Sequence, residues 1–319
     1  MTFLFGIRET LKKIYQKYQL LLQPIGKFIF CFIFFWSLHQ MLPYSEVAGR
    51  IEVIFFFSFL GMWLPMGVTF LISIFYIEIE LIATLPEIAI LYGIFYLLIY
   101  LFYIKFNIKS GFPLLIIPIA MFLNIPYIVP IIVGIYIGSV GIVPMILGIV
   151  VYFFSSHIRE TITLVGSATE SKEYIQIYQK LLQQVLYDRE MLITIFVFTI
   201  VTFMLYSLLK VGNQDVQKIS VYISGVSGIV LFLVSGYLLE VEMDVITIVI
   251  GFGISIFIGV ILQFIKGTLD FARVEYTQFE DDEYYYYVKA VPKISVAQKE
   301  VSVKKINIRK NEKTVEEVK

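Results

Sequence analysis

The sequence predicts an all-α integral membrane protein, a polytopic bundle of about eight transmembrane helices with a short cytoplasmic β-hairpin and a disordered basic tail. Three observations carry this reading. Hydrophobic residues make up 59% of the 319 positions and aromatic residues 17%, whereas only 16% are charged; an average soluble domain has about 25% charged residues. A water-soluble domain of this length cannot hide so much apolar surface. The apolar residues also fall in runs close to the ~20 residues that one bilayer crossing needs. Finally, the formal net charge is zero, yet lysine and arginine crowd toward both ends and leave the middle nearly bare.

Residues 1–25 read as an amphipathic interfacial helix. Leu4, Ile7, Leu11, Ile14, Tyr18 and Leu22 recur at spacings of three and four, opposite Lys12, Lys13 and Lys17. Such a helix lies in the membrane interface, held by apolar burial and anionic lipid. The first long apolar run begins near residue 26. No small-residue cleavage site closes it, so a retained signal anchor is expected. Cys31 is the only cysteine. It permits no intrachain disulfide or cysteine-based metal site, and in its apolar run it reads as a small membrane hydrophobe.

Residues 26–154 read as transmembrane helices 1–5, at about 26–43, 52–77, 88–107, 113–133 and 136–154. The 51–86 region contains Trp63-Leu64-Pro65. One long kinked helix fits it, and so does a short re-entrant piece followed by a full span. Pro113, Pro118, Pro126, Pro130, Gly134, Gly138, Gly141, Pro144 and Gly148 break the centre of this region. Breakers of this kind are tolerated where neighbouring helices or a cavity satisfy the backbone. Residues 155–190 read as a polar loop with an amphipathic helix: Ser171 supplies a cap, and Tyr174, Ile177, Leu181 and Val185 mark one face. A packed connector is favoured there over a lid. Residues 191–266 read as helices 6–8, at 191–210, 219–240 and 245–266.

The lysine and arginine distribution puts both termini in the cytoplasm, which requires an even number of passes. With eight spans the acidic turn Glu240, Glu242, Asp244 lies outside, and Lys210 with Lys218 lies inside. Lys105 and Lys109 then land outside, against the rule, so six, seven and nine passes stay open.

Residues 267–293 form the acidic, tyrosine-rich hairpin. Two β-prone runs flank Glu280-Asp281-Asp282-Glu283, and acidic turn residues between aromatic strands mark a hairpin. A lone hairpin is marginal in water, so it needs a surface to lean on. Phe279, Glu280, Asp281, Asp282, Glu283, Tyr284, Tyr285, Tyr286 and Tyr287 are the candidate partner-docking residues. Residues 294–319 are lysine-rich and read as a disordered basic tail.

Chemistry-bearing motifs are sparse. His39 and His157 are the only histidines and form no HExxH; no GxxxxGK[ST] is present. The acidic cluster lacks EF-hand spacing. Gly251-Phe252-Gly253 lies inside a span, where small residues serve helix packing. Ser155, Ser156, Ser167 and Ser171 have no histidine and carboxylate at a triad spacing. The expectation is therefore no enzyme, no cofactor, no metal and no nucleic-acid partner. Near the membrane Glu80, Glu87 and Asn124 are the candidates for ion or proton coupling, because polar groups at bilayer depth usually face a cavity or a partner.

The string from Glu275 to Lys293, EYTQFEDDEYYYYVKAVPK, resembles the signature of a family of clostridial multi-pass membrane proteins loosely labelled transporter permeases. The similarity extends over roughly 155–293. It implies a multi-pass membrane fold and carries over no binding or catalytic residue. Two functions are expected. One is a permease-like transport component of the cell membrane, with a separate ATPase if it works as an ABC permease. The other is a membrane scaffold in the lipid bilayer whose hairpin and tail dock a soluble cytoplasmic protein.

Overall fold

The computed structural model describes residues 2–82, 86–107, 111–165, 183–211, 213–266, 275–280 and 285–290. The helices are α1 (Thr2–Met41), α2 (Ile51–Trp63), α3 (Met66–Ile82), α4 (Pro86–Ile99), α5 (Phe112–Phe122), α6 (Ile128–Tyr136), α7 (Ile142–Val165), α8 (Arg189–Lys210), α9 (Gln214–Leu238) and α10 (Val245–Lys266). A π-turn, Tyr100–Ile104, extends α4, and a 3₁₀ turn, Gly138–Gly141, leads into α7. Strand β1 (Glu275–Glu280) pairs antiparallel with β2 (Tyr285–Ala290), from Glu275 opposite Ala290 to Glu280 opposite Tyr285. The chain divides into a unit of Tyr15–Gly267 and a unit of Met1–Ile14 with Thr268–Lys319. The bundle of the first unit is described below; the second contains the start of α1 and the strand pair.

Among the described residues, five helical stretches are long and apolar enough to cross a membrane: Ile14–Met41, Gly138–Arg159, Gln183–Lys210, Asp215–Leu238 and Val245–Lys266. Shorter apolar helices, Ile51–Trp63, Ile88–Ile104 and Phe112–Phe122, lie among them. Large side chains such as Phe56, Phe75, Phe102 and Phe257 point outward. So much exposed hydrocarbon suits lipid and not water. The chain is a helical membrane protein.

The 52–77 region is two helices, not one. Pro65 has no N–H to give and pushes the residue before it out of the helical region; Leu64 is extended, at φ −93° and ψ 154°. The chain reverses there. On α1, the Lys27 ammonium donates to the Leu64 carbonyl oxygen, while His39, about 18 Å farther along the same helix, meets Glu80 near the end of α3. So α2 runs back alongside α1, and α3 returns. A lysine at a helix C-terminus satisfies a carbonyl and complements the helix dipole. In α4 the chain runs antiparallel to α3, with the Tyr96 ring stacked on Phe70 at 5.0 Å. It ends at Lys105 after the wide turn in which the Lys105 N–H reaches the Tyr100 carbonyl. Gly111 then lies against the backbone of Gly67, where a Cβ would stand 2.9 Å from the Gly67 nitrogen. Lys105 therefore belongs to the Lys27 end of the bundle.

The 113–133 region is likewise two half-length helices. At 11 and 9 residues, α5 and α6 are about 17 and 14 Å long, each about half of a bilayer core. The stop of α5 is a Schellman turn. The Ile125 N–H bonds the Ala120 carbonyl at 2.9 Å, Asn124 takes the left-handed conformation at φ +56°, and Pro126 follows. Against α10, α6 runs in parallel. Tyr127 packs on Gly251 and Ile131 on Gly259, and the Lys266 ammonium donates to the Ile135 carbonyl. The α5–α6 connection thus sits about 9 Å inside the start of α10. It is the tip of a helical pair that turns back inside the bundle.

One further expectation is corrected. The 155–190 stretch is not a loop from its start, because α7 continues to Val165: Ile158 and Ile162 are buried and extend its apolar face. Much of the expected amphipathic helix, 166–182, lies outside the described residues. The expected helix over 1–25 and the span after it both fall within α1, which is kinked at Tyr18, where φ is −112° and ψ 18°. The tail 294–319 also lies outside the described residues.

Gly251 and Gly253 provide a matched pair. A Cβ at Gly251 collides with the Tyr127 ring, whereas nothing stands within 4 Å of one at Gly253. Both alanine substitutions gain the same helix propensity. Gly251→Ala should therefore be less stable than Gly253→Ala by about 1–3 kcal/mol, measured as melting temperatures of the purified protein in detergent.

Candidate functional site

Three polar assemblies interrupt the apolar interior. The first is a clasp at the end of the bundle away from Lys27. Glu80 is 1% exposed and His39 19%. His39 Nδ1 lies 2.6 Å from Glu80 Oε1, and the Ser45 N–H donates to Oε2 at 2.9 Å. The Tyr76 hydroxyl donates to the Ala48 carbonyl at 3.1 Å, and Ser45 Oγ accepts from the Ala48 N–H. Both carboxylate oxygens are thereby satisfied, as burial of a carboxylate requires. The clasp fastens the α1–α2 connection onto α3. Tyr44 in the same connection has its hydroxyl pushed up by burial, with Arg159 of α7 opposing, so the second half of α7 reaches this end.

The second assembly is a buried hydroxyl chain between α4 and α7. The Tyr92 hydroxyl donates to Tyr96 at 2.8 Å and lies 2.5 Å from Ser155 Oγ, which donates to the Val151 carbonyl at 2.7 Å. The chain is short and closed by a backbone carbonyl. It joins two helices across an aromatic core in which Phe95 and Phe154 rings meet at 4.4 Å.

The third is a cavity of about 350 Å³ between the α5–α6 tip and the acidic end of the bundle. Met121, Pro126 and Tyr127 of the tip form its floor, and Tyr152, Phe153, Thr194, Phe198 and Phe232 its walls. Glu190, Glu242 and Asp244 stand at its exposed rim. Tyr127 is held edge-on to Phe232 at 5.5 Å and against Phe252 at 4.6 Å. Helix starts set the rim. Asp188 caps α8 by accepting the Met191 N–H at 2.9 Å, and its other oxygen lies 2.7 Å from His157 Nε2 on α7. Asp244 caps α10 by accepting the Ile246 N–H at 3.0 Å and the Thr247 hydroxyl at 2.5 Å. The Thr247 hydroxyl, with backbone N–H groups, holds the Asp244 carboxyl below the usual range, so it is ionised at neutral pH.

The residues singled out from sequence fare differently. Glu80 has a buried partner, His39, and lies outside the cavity. Glu87 falls in the first turn of α4, and its side chain is outside the described set. Asn124 is exposed at the tip as the left-handed cap of α5; its place is fixed by backbone geometry. Phe279 and Glu280 are in β1, and Tyr285, Tyr286 and Tyr287 in β2, with Phe279 opposite Tyr286. Asp281, Asp282, Glu283 and Tyr284 lie outside the described residues. Among the described residues, no three histidine, cysteine or acidic side chains come close enough to share a metal. His39 and Tyr127 were not foreseen as site residues. The only signals for them were a histidine near a span end and an aromatic residue after Asn124-Ile125-Pro126.

Removing one partner from the clasp leaves a buried polar group uncompensated. Glu80→Leu should cost about 3 kcal/mol; Glu80→Gln, which keeps one acceptor for the Ser45 N–H, should cost less. Thermal unfolding of the two variants in detergent measures the order.

No family model matches the chain, and no curated protein and no solved structure resembles it at a significant level.

Proposed function

We propose that this protein is a permease-like transport component of the cell membrane, and that its solute path enters the cavity above the α5–α6 tip from the acidic end. The observation behind this reading is the meeting of two half-length helices at a polar-rimmed cavity inside a membrane bundle. Transporters build solute sites from such interrupted helices, because the broken backbone is tolerated only where it is buried or lines a cavity. No ATP-binding motif accompanies the bundle, so an ATP-driven version requires a separate ATPase. Catalysis has no place in the reading.

The same reading gives eight crossings, α1–α4 and α7–α10, plus the re-entrant α5–α6 pair, with both termini inside. It is supported by the lysines. Lys27, Lys105, Lys210, Lys218 and Lys266 share one end, the cytoplasmic one under the positive-inside rule. With residues 52–77 as one span Lys105 fell outside; the reversal at Leu64-Pro65 brings it back. A second role, docking of a soluble partner at the β1–β2 pair, is compatible and rests on the exposed-edge chemistry of a two-stranded sheet. Membership of the clostridial family resembled by residues 275–293 belongs to the same proposal.

Topology is tested by single cysteines in a Cys31→Ser background. In intact cells a membrane-impermeant maleimide should label Glu242→Cys and spare Lys105→Cys until the membrane is opened; labelling of Lys105→Cys from outside would restore 52–77 as a single span. Transport is tested in proteoliposomes offered a mixed pool of cationic, neutral and anionic small solutes, with contents read by mass spectrometry. Flux of at least one solute is expected, and Thr194→Trp, which fills the cavity, should abolish it. Retention identical to empty liposomes for every solute would contradict the transport reading.

A further inference from the structure

We infer that the cavity above the α5–α6 tip binds an organic ammonium cation with an apolar body; the inference names the solute class for the path proposed above and rests on that reading. The cavity combines two features that select this chemistry. Its walls are aromatic, with Tyr127, Tyr152, Phe198 and Phe232 facing a space of about 350 Å³. That volume is within the range of small-molecule sites. Aromatic faces attract a cation through the ring quadrupole, and most strongly where water is excluded. Its rim is anionic. Glu190, Glu242 and Asp244 line the mouth, and among the described residues no lysine or arginine lines the cavity.

The carboxylates are available to a ligand for identifiable reasons. Asp188, their neighbour in sequence, is taken up by His157, and the nearby Arg189 guanidinium is turned to the Leu239 carbonyl at 2.8 Å. Among the described residues, neither Glu190 nor Glu242 forms a salt bridge. Asp244 is used as a cap but stays ionised, since its partners are neutral donors. A small inorganic cation would remain hydrated at such a rim and gain little from the aromatic walls. An anion meets three carboxylates, and a neutral solute makes no use of them. An ammonium ion carrying methyl or aryl groups uses both parts: low hydration lets it leave water for the aromatic walls, and its charge is met at the rim.

The same ammonium chemistry occurs in free solutes and in choline headgroups, and the test separates the two. The full-length protein is titrated calorimetrically in maltoside detergent with benzyltrimethylammonium, benzyl alcohol and benzoate. Benzyltrimethylammonium should bind at least tenfold more tightly than either of the others. Its affinity should fall at least tenfold in the Glu190→Gln/Glu242→Gln double variant, both residues being exposed and outside the core, with unchanged melting temperature. Equal binding of the alcohol or the benzoate, or an unaltered affinity in the double variant, overturns the inference. In nanodiscs, loss of probe binding in phosphatidylcholine but not phosphatidylglycerol supports it with a lipid headgroup as the source. Retained binding in both supports it with a free solute. Flux of neutral or anionic solutes by a protein that fails to bind the cation refutes this inference and leaves the transport reading standing. Cation binding without flux of any solute does the reverse.

Discussion

Every backbone N–H and C=O inside a bilayer must find a partner within the protein, and the α5–α6 tip is where this bundle meets that constraint. Here α5 ends and α6 begins, about 9 Å along α10 from its start, where one continuous helix would need no caps at all. The last carbonyls of α5 are closed by the Schellman turn around Asn124. On the other side of the tip Tyr127 is wedged against Gly251, Phe232 and Phe252. The far end of α6 receives the Lys266 ammonium from α10. The pair is therefore anchored at tip and base by α10, and the space between the tip and the acidic loops is left as the cavity.

The same solution recurs in the first half of the bundle. There α2 is also short, and Lys27 of α1 serves the carbonyl at its end as Lys266 serves α6. At the opposite end the His39–Glu80 clasp closes the α1–α2 connection. Lysines thus complete helix C-termini at one end, and carboxylates cap helix starts at the other, through Asp188 and Asp244. Helix dipoles favour this placement of charge at both ends. The result is a bundle whose two ends differ in sign before any loop is considered, with Glu190, Glu242 and Asp244 bringing the anionic one to the cavity.

How much of this was legible in the sequence follows from how local each cause is. The membrane class was legible because composition and run length are properties of the chain alone. The breakers at 113–148 were legible for the same reason, and they do mark the interrupted pair. At Leu64-Pro65 the sequence leaves a kinked helix and a reversal equally open. Both sides of Pro65 are equally apolar, so periodicity cannot tell a kink from a turn; what decides is a lysine 37 residues away. Glu80 was found as a carboxylate near a span end, but its partner His39, 41 residues distant, gave no spacing signal. The cavity walls gave none either. Tyr127, Phe198 and Phe232 are ordinary aromatic residues of apolar runs until three helices bring them together. Asn124 stands out in the sequence only as a polar residue near the membrane; its left-handed place at the end of α5 is set by the backbone.

In the proposed arrangement the α5–α6 tip lies inside the membrane and is reached by water from the acidic end alone. Met121, on the cavity floor, reports on this directly. With Met121→Cys in a Cys31→Ser background, the modification rate by a membrane-impermeant cationic thiosulfonate is measured in intact cells and in inside-out vesicles. Rapid modification in intact cells and none in inside-out vesicles is the expected result. A cysteine that reacts only after detergent extraction, or equally from both sides, would contradict the account.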